Sequence, residues 1–363
     1  MITMFWPYMP EEAIKAVSEV LRTRWIGQGP KVDEVENKFS RKFTIPHSVT
    51  VYSGTGALHL ALRLANVGPG DEVITTPMTC TASNIPILYS GSKAVFADIQ
   101  KKTMNIDPID IRQKITPKTK AIMVVHWAGY PCDMAEINAI AKEYNLKVIE
   151  DAAHALGAKY QGQYIGAVSD YSCFSFQAIK QITTIDGGML TMKAEADYKR
   201  AKVLRWYGID REFKGDIYWK YQIKEIGYKY HMNDVAATIL DIQLDKLGEV
   251  LARRKQIADR YLSELKNVSG LTLLERKSDR ESGNWLFTLQ VEKRDDFQKK
   301  LADNEIESHM VHVRNDICPI FAGQRLDLPV MNEVEDKYIS IPLHNHLTDD
   351  DVEKIIKTIK SGW

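Results

Sequence analysis

The sequence predicts an α/β fold: a mostly parallel sheet flanked by helices, followed by a smaller C-terminal α+β domain. Two observations predict the first part. Short β-rich runs alternate with helical patterns through the first two-thirds of the chain, the order that builds a parallel sheet covered on both faces. Most of those runs are nearly continuous in apolar residues, as strands buried on both faces are. A third observation separates the second part. After about residue 245 a long charged helical pattern (246–266) leads to further strands and a last helix. The 363 residues exceed one small core, so we divide them into a large domain, 1–245, and a small domain, 246–363.

The elements follow in order. VTVYSG (49–54) reads as a strand running into a turn, and residues 55–65 carry apolar side chains at helical spacing until GPG (68–70) stops them. VITTP (73–77), AVFADI (94–99), AIMVVH (121–126) and KVIED (147–151) are further strands. Helices are expected between them near 82–90, 107–115 and 134–145. SCFSF (172–176) and GGMLTM (187–192) close the sheet. In the small domain LTLLE (271–275) and NWLFTLQV (284–291) read as strands and 349–361 as a helix.

Composition narrows the function. Lys plus Arg number 48 and Asp plus Glu 48, so the basic surplus of a nucleic-acid binder is missing. The four cysteines, Cys80, Cys132, Cys173 and Cys318, form neither a CxxC pair nor a metal spacing, which reads as reduced cytoplasmic thiols and no metal. The N-terminus lacks the pattern of a secretion signal. No run reaches the roughly 18 apolar residues of a membrane span.

Three segments carry chemistry. Lys180 stands in CFSFQAIKQITTIDGGM, a stretch poor in other charge. It falls just beyond a buried strand, where desolvation lowers an amine's basicity and lets it attack a carbonyl; a Schiff base with pyridoxal 5'-phosphate (PLP) needs such a group. The same pattern fits a lysine that snorkels to solvent. Asp151 ends the strand of VIEDAAHALGA, where a carboxylate can hold a pyridine nitrogen or cap the next helix. His154 follows, suited to a ring contact or to a satisfied place in the core. SGTGAL (53–58) is a Gly-rich strand-to-helix turn, an anion site by virtue of its backbone N–H groups, although any tight turn of this kind uses glycine. Thr55 and Ser175 can add hydroxyls. In a parallel sheet the loops after Ser53, Asp151 and Phe176 gather at one edge.

In their order and spacing these segments, SGTGALHLAL, GDEVITTP, VIEDAAHALGA, FSFQAIKQITTIDGGM and AATILDIQL, together with WIGQGPKVDEVENKF and PLHNHLT, resemble the DegT-type family of sugar-nucleotide aminotransferases. The resemblance covers almost the whole chain. It implies PLP fold type I, with Lys180 as the Schiff-base lysine and Asp151 as the partner of the pyridine nitrogen. It sets His154 beside the ring and makes Thr55, Gly56 and Ser175 phosphate ligands. It also implies a homodimer with shared active sites and glutamate, leaving as 2-oxoglutarate, for amino donor. The acceptor would be a nucleotide-linked keto sugar, most often a 4-keto-6-deoxyhexose, in making amino sugars for surface glycans or related glycosides.

Four positions depart from the family pattern. Cys80, in PMTCTASN, stands where many members stack an aromatic on the cofactor. In GYKYHM, Lys229 replaces the asparagine that the partner chain offers to the phosphate, and His231 replaces an arginine. Ile185-Asp186-Gly187-Gly188 stands for Gly-Glu-Gly-Gly. Gln177 replaces an aromatic or histidine. Lys180 is kept, whereas related sugar dehydratases carry histidine there. Arg205, Arg211, Lys229 and Arg314 are candidates for the nucleotide phosphates or are solvated surface charges. Trp127 and Tyr130, in HWAGYPCDM, line the pocket or pack between sheet and helix. Two other classes stay open: a PLP enzyme for a small phosphorylated ketone, and a non-catalytic regulator that binds a sugar nucleotide.

Overall fold

The computed structural model describes residues 1–212 and 223–363. The large sheet has strands β1 (His47–Val51), β2 (Glu72–Thr75), β3 (Lys93–Phe96), β4 (Thr119–Val125), β5 (Lys147–Asp151), β6 (Tyr171–Ser175) and β7 (Gly188–Met192). Their spatial order is β1-β7-β6-β5-β4-β2-β3. β7 alone runs against its neighbours; β3, β2, β4, β5 and β6 pair in parallel. The mostly parallel sheet is therefore present, its ends displaced by a few residues from the sequence reading.

Alternation along each strand sorts side chains between two cores. Ile122, Val124 and Val148 face helices α2 (Pro30–Phe43), α6 (Met134–Glu143) and the first part of α8 (Asp234–Glu264). Ala121, Met123 and Ile149 face α3 (Gly54–Leu64), α4 (Thr81–Tyr89) and α7 (Glu195–Leu204). Helices α1 (Glu11–Val20) and α5 (Pro108–Lys114) complete the layers.

The smaller sheet, β8 (Leu271–Leu273), β9 (Phe287–Val291) and β10 (Tyr338–Ile341), is antiparallel. It packs on α9 (Arg294–Asp303), α11 (Asp349–Lys360) and the far end of α8, with α10 (Pro329–Val334) beside it. β10 has no counterpart in the sequence reading. α8 is one helix of 31 residues that runs through the 245/246 junction, from one core into the other. The first residues also join the small sheet's core, since Ile2 N–H donates to the Glu305 carbonyl at 2.7 Å.

Two buried carboxylates fix the layers. Asp234 accepts from the N–H groups of Gly29 (2.7 Å) and Lys31 (3.2 Å), so it caps α2 from the start of α8. Glu36 accepts from Thr50 N–H (2.8 Å) and Oγ1 (2.7 Å) and pairs with Arg205. Arg205 also donates to the Thr50 carbonyl at 2.8 Å, so α2, β1 and α7 meet at one ion pair. Arg205 is thereby withdrawn from the list of phosphate candidates.

Removing one partner of that pair leaves the other charge buried. Arg205→Met is expected to lower unfolding free energy by about 3–5 kcal/mol, and Glu36→Leu added to it to recover most of the loss. Urea denaturation of the two variants and the wild type checks both outcomes.

Candidate active site

A cavity of about 330 Å³ opens where β1, β5 and β6 end. The chain folds this way because β5 and β6 are parallel, β1 shares their direction across β7, and each then turns on the same edge. After β1, the Ser53 side chain accepts from Gly56 N–H at 3.0 Å and starts α3. That leaves the first N–H groups of α3 without partners inside the helix. Close packing sets the turn. A Cβ on Gly188 would stand 2.5 Å from the Ser53 carbonyl, and one on Gly54 would stand 2.9 Å from the Ser175 Cβ. Thr55 and Ser175 both line the cavity.

Asp151 lies at the end of β5, buried. Its Oδ1 accepts from Ala153 N–H at 3.0 Å and its Oδ2 from the Ser83 hydroxyl at 2.6 Å. Ser83 in turn lies 2.6 Å from the Thr79 hydroxyl. The segment between β6 and β7 carries Lys180, whose N–H closes a turn on the Gln177 carbonyl at 2.9 Å. Its ammonium stands 3.9 Å from the centre of the Trp285 ring. Burial pushes the Lys180 amine down from 10.5 to about 8, against the smaller opposing pull of Asp151.

One wall is aromatic. His154 stacks on Trp285 at 3.7 Å between ring centres, 17° from parallel, and His312 lies parallel to His154 at 5.7 Å. Burial, and then the charge of Lys180, hold His154 neutral, well below the usual range. Its Nδ1 is buried with no partner. The donor set fits PLP on these observations: an anion turn with two free-standing hydroxyls, a buried carboxylate for a ring nitrogen, a neutral imidazole with an unused nitrogen, and a lysine near neutrality.

The structure brings together seven of the residues singled out in the sequence: Thr55, Cys80, Asp151, His154, Ser175, Gln177 and Lys180 all line the cavity. Gly56 supports the turn from behind, its Cα facing Tyr52 and Tyr230. Cys80 sits at the start of α4, where its thiol faces the cleft without an aromatic.

The structure sets others elsewhere. Trp127 is fully buried, its indole N–H 3.3 Å from Thr288 Oγ1 and its ring edge-on to His154. The left-handed backbone of Ala128 and Gly129 turns it under the cleft. Tyr130 is buried too; its hydroxyl accepts from Lys277 N–H at 2.6 Å. Arg314 is buried in a bidentate pair with Asp316 (2.7 and 2.6 Å) and a bond to Glu335 (3.0 Å), so its charge is spent inside the fold. Lys229 bridges to Trp206 through the backbone, and His231 packs on the Trp206 ring at 3.8 Å. Neither lines this chain's cavity. Arg211 stacks on Trp206 at 4.6 Å, outside the cavity as well.

Trp285 and His312 were not singled out from the sequence, nor were Ser83 and Asp186 as lining residues. His312 had a faint signal, a histidine amid the apolar MVHV; nothing local marked Trp285.

The model of the DegT/DnrJ/EryC1/StrS aminotransferase family matches residues 7–360. GDP-perosamine synthase of Escherichia coli O157:H7 is 34% identical over 369 residues, 100% of this chain and 98% of that protein. The crystal structure of sugar aminotransferase CalS13 from Micromonospora echinospora superposes with a TM-score of 0.95 at 36% identity, covering all of both chains. Spr1654 from Streptococcus pneumoniae, solved in a PLP form, gives 0.92 at 34% identity over 99% of this chain and 98% of that one.

The Lys180 amine attacks a carbonyl only when neutral. In cofactor-free protein, the rate of covalent PLP attachment is expected to rise with pH through a midpoint of about 8. Stopped-flow absorbance across pH checks it; a midpoint at the free-lysine value of 10.5 overturns the burial account.

Proposed function

We propose a specific reaction for this chain, which belongs to the DegT/DnrJ/EryC1/StrS aminotransferase family: PLP-dependent transfer of an amino group from glutamate to a nucleotide-linked keto sugar. A 4-keto-6-deoxyhexose is the acceptor we favour, in making amino sugars for surface glycans or related glycosides. The observation that carries the reading is Lys180, desolvated in a cleft that it shares with Asp151 and an anion-binding turn.

When bound, PLP supplies an electron sink for the charge left on the reacting carbon. The chain's own residues do the rest. The α3 turn, Thr55 and Ser175 would hold the phosphate, and Asp151, steadied by Ser83 and Ala153, would pair with the ring nitrogen. His154 offers a hydrogen bond without a charge. Lys180 Nζ would hold the cofactor until glutamate arrives. Its neutral amine then takes the proton from the amino-bearing carbon of glutamate. In the second half, its ammonium returns a proton to the former carbonyl carbon of the sugar. An amine close to pH 8 serves in both directions, because neither form is scarce at neutral pH. Trp285 and His312 close one side of the cleft against water.

Lys229 and His231 lie outside their own chain's cavity, and large apolar side chains near them are exposed: Tyr52, Tyr207, Ile223 and Ile226. An exposed apolar surface of this kind supports a homodimer in which Lys229 reaches the phosphate of the facing site. No helix among the described residues is long and apolar enough to cross a membrane. With four unpaired cysteines, we read the enzyme as cytoplasmic.

The visible absorption of PLP-loaded protein is expected to collapse on adding glutamate and to return on adding the keto sugar. Lys180→Ala should lack the resting band. A band indifferent to both glutamate and the substitution sinks the transaminase reading and leaves the regulator. Restoration only by a small phosphorylated ketone moves the enzyme to that substrate class.

Shared sites have their own check. Lys180→Ala and Lys229→Ala proteins, each inactive alone, should regain up to about a quarter of wild-type activity when mixed, since half of random dimers are mixed and each holds one intact site. Absence of recovery after verified subunit exchange places Lys229 outside the site.

A further inference from the structure

The cofactor anchors all belong to the large domain: the α3 turn, Asp151, Ser175 and Lys180. The small domain contributes the facing wall, and its one titratable side chain in the cavity is His312. The segment that presents it is unusually well tied down. Arg314 and Asp316 clamp the chain by a buried bidentate pair. Between them Asn315 reaches across to the large domain. It donates from Nδ2 to the Thr79 carbonyl (2.8 Å) and from its N–H to the Pro77 carbonyl (2.9 Å), and its Oδ1 accepts from Asn84 at 2.9 Å. The Tyr338 hydroxyl donates to the His312 carbonyl at 2.7 Å. The ring itself lies edge-on to Trp127 at 5.9 Å and nearly parallel to Trp285 at 6.0 Å.

Within this rigid frame His312 Nε2 is buried with no hydrogen-bond partner. A buried polar atom left unpaired costs free energy comparable to a lost hydrogen bond, and because the His312 side chain lines the cavity, a polar group bound there can relieve that cost. We propose that His312 recognises a hydroxyl of the keto sugar beside the reacting carbon, and so helps to set which sugar is aminated; the assignment rests on the transaminase reading above.

The chemistry of the ring selects that partner. Burial and the charge of Lys180 hold His312 down to about 4, hence neutral at physiological pH. A neutral imidazole is a poor mate for a carboxylate or phosphate, which seeks a cation. It suits a hydroxyl, which can donate to or accept from whichever tautomer is present. His312 and Lys180 line the same cavity and lie against the same Trp285 ring, the Lys180 amine at 3.9 Å and the His312 ring at 6.0 Å from its centre.

The test separates the two half-reactions of the PLP-loaded enzyme by rapid absorbance. Glutamate serves in the first half. In the second, dTDP-, UDP- and GDP-linked 4-keto-6-deoxyglucose serve as probes. His312→Leu is expected to slow the sugar half at least about tenfold more than the glutamate half, the loss of a hydrogen bond to a buried partner. His312→Gln, which keeps a polar end, should recover part of it. By calorimetry the matching nucleotide-linked glucose, which has the hydroxyls and no ketone, should bind His312→Leu more weakly by a similar factor. The free nucleoside diphosphate should not distinguish the two proteins. Equal losses in both halves, or none in either, overturn the assignment. A wild type that converts glutamate but none of the sugars overturns the proposed substrate class first, and this assignment with it.

Discussion

The exclusion of water from the Lys180 amine governs the rest of the site. Left in solvent, that group stays protonated and inert toward carbonyls. Here the end of the sheet, the α3 turn and the small domain's aromatic wall surround it, and its basicity falls to about 8. The same burial disposes of charge nearby: His154 and His312 are driven neutral, so among the described residues no second cation lines the cleft. The indole of Trp285 serves this twice. Its face lies against the lysine, and its N–H donates to the Ile179 carbonyl at 2.9 Å, tying the small domain to the segment that carries Lys180.

Much of this was legible in the sequence where function depends on local order. A strand ending in Asp151, a Gly-rich turn after another strand, and a lysine just past a third converge by the geometry of a parallel sheet alone. Cys80 was placed through the family resemblance alone. What stayed hidden came through tertiary contact. Trp285 and His312 lie more than a hundred residues beyond Lys180 in the chain and arrive only because α8 carries the small domain across the cleft. Arg314 read as an available charge because a sequence does not say whether a nearby carboxylate faces it; Asp316, two residues on, does. For Trp127 the sequence left pocket lining and packing equally open, because the left-handed pair Ala128 and Gly129, which turns it beneath the floor, leaves no mark in hydropathy. Likewise β10, whose residues Tyr338–Ile341 are all buried, follows the charged stretch EVEDK (333–337) and contains Ser340, which dilutes its apolar signal.

The division of labour follows the division of cores. Thr55, Asp151, Ser175 and Lys180 sit at the large sheet's edge, backed by α3, which is almost wholly buried. Trp285 and His312 come from the side of the small sheet, whose own core is closed by Tyr261 and Phe287. A continuous helix joins the two, so the wall is held in register by a rod rather than by a linker.

The Arg314–Asp316 clamp has a further consequence for how such an enzyme diverges. The clamp and Asn315 fix the backbone around position 312 with bonds that owe nothing to the histidine ring. A lineage can therefore exchange that one side chain by a single codon change while the fold and the rest of the cavity's lining stay intact. On the proposal that His312 meets the sugar, drift and selection can try new substrates at that position without unsettling the rest of the site.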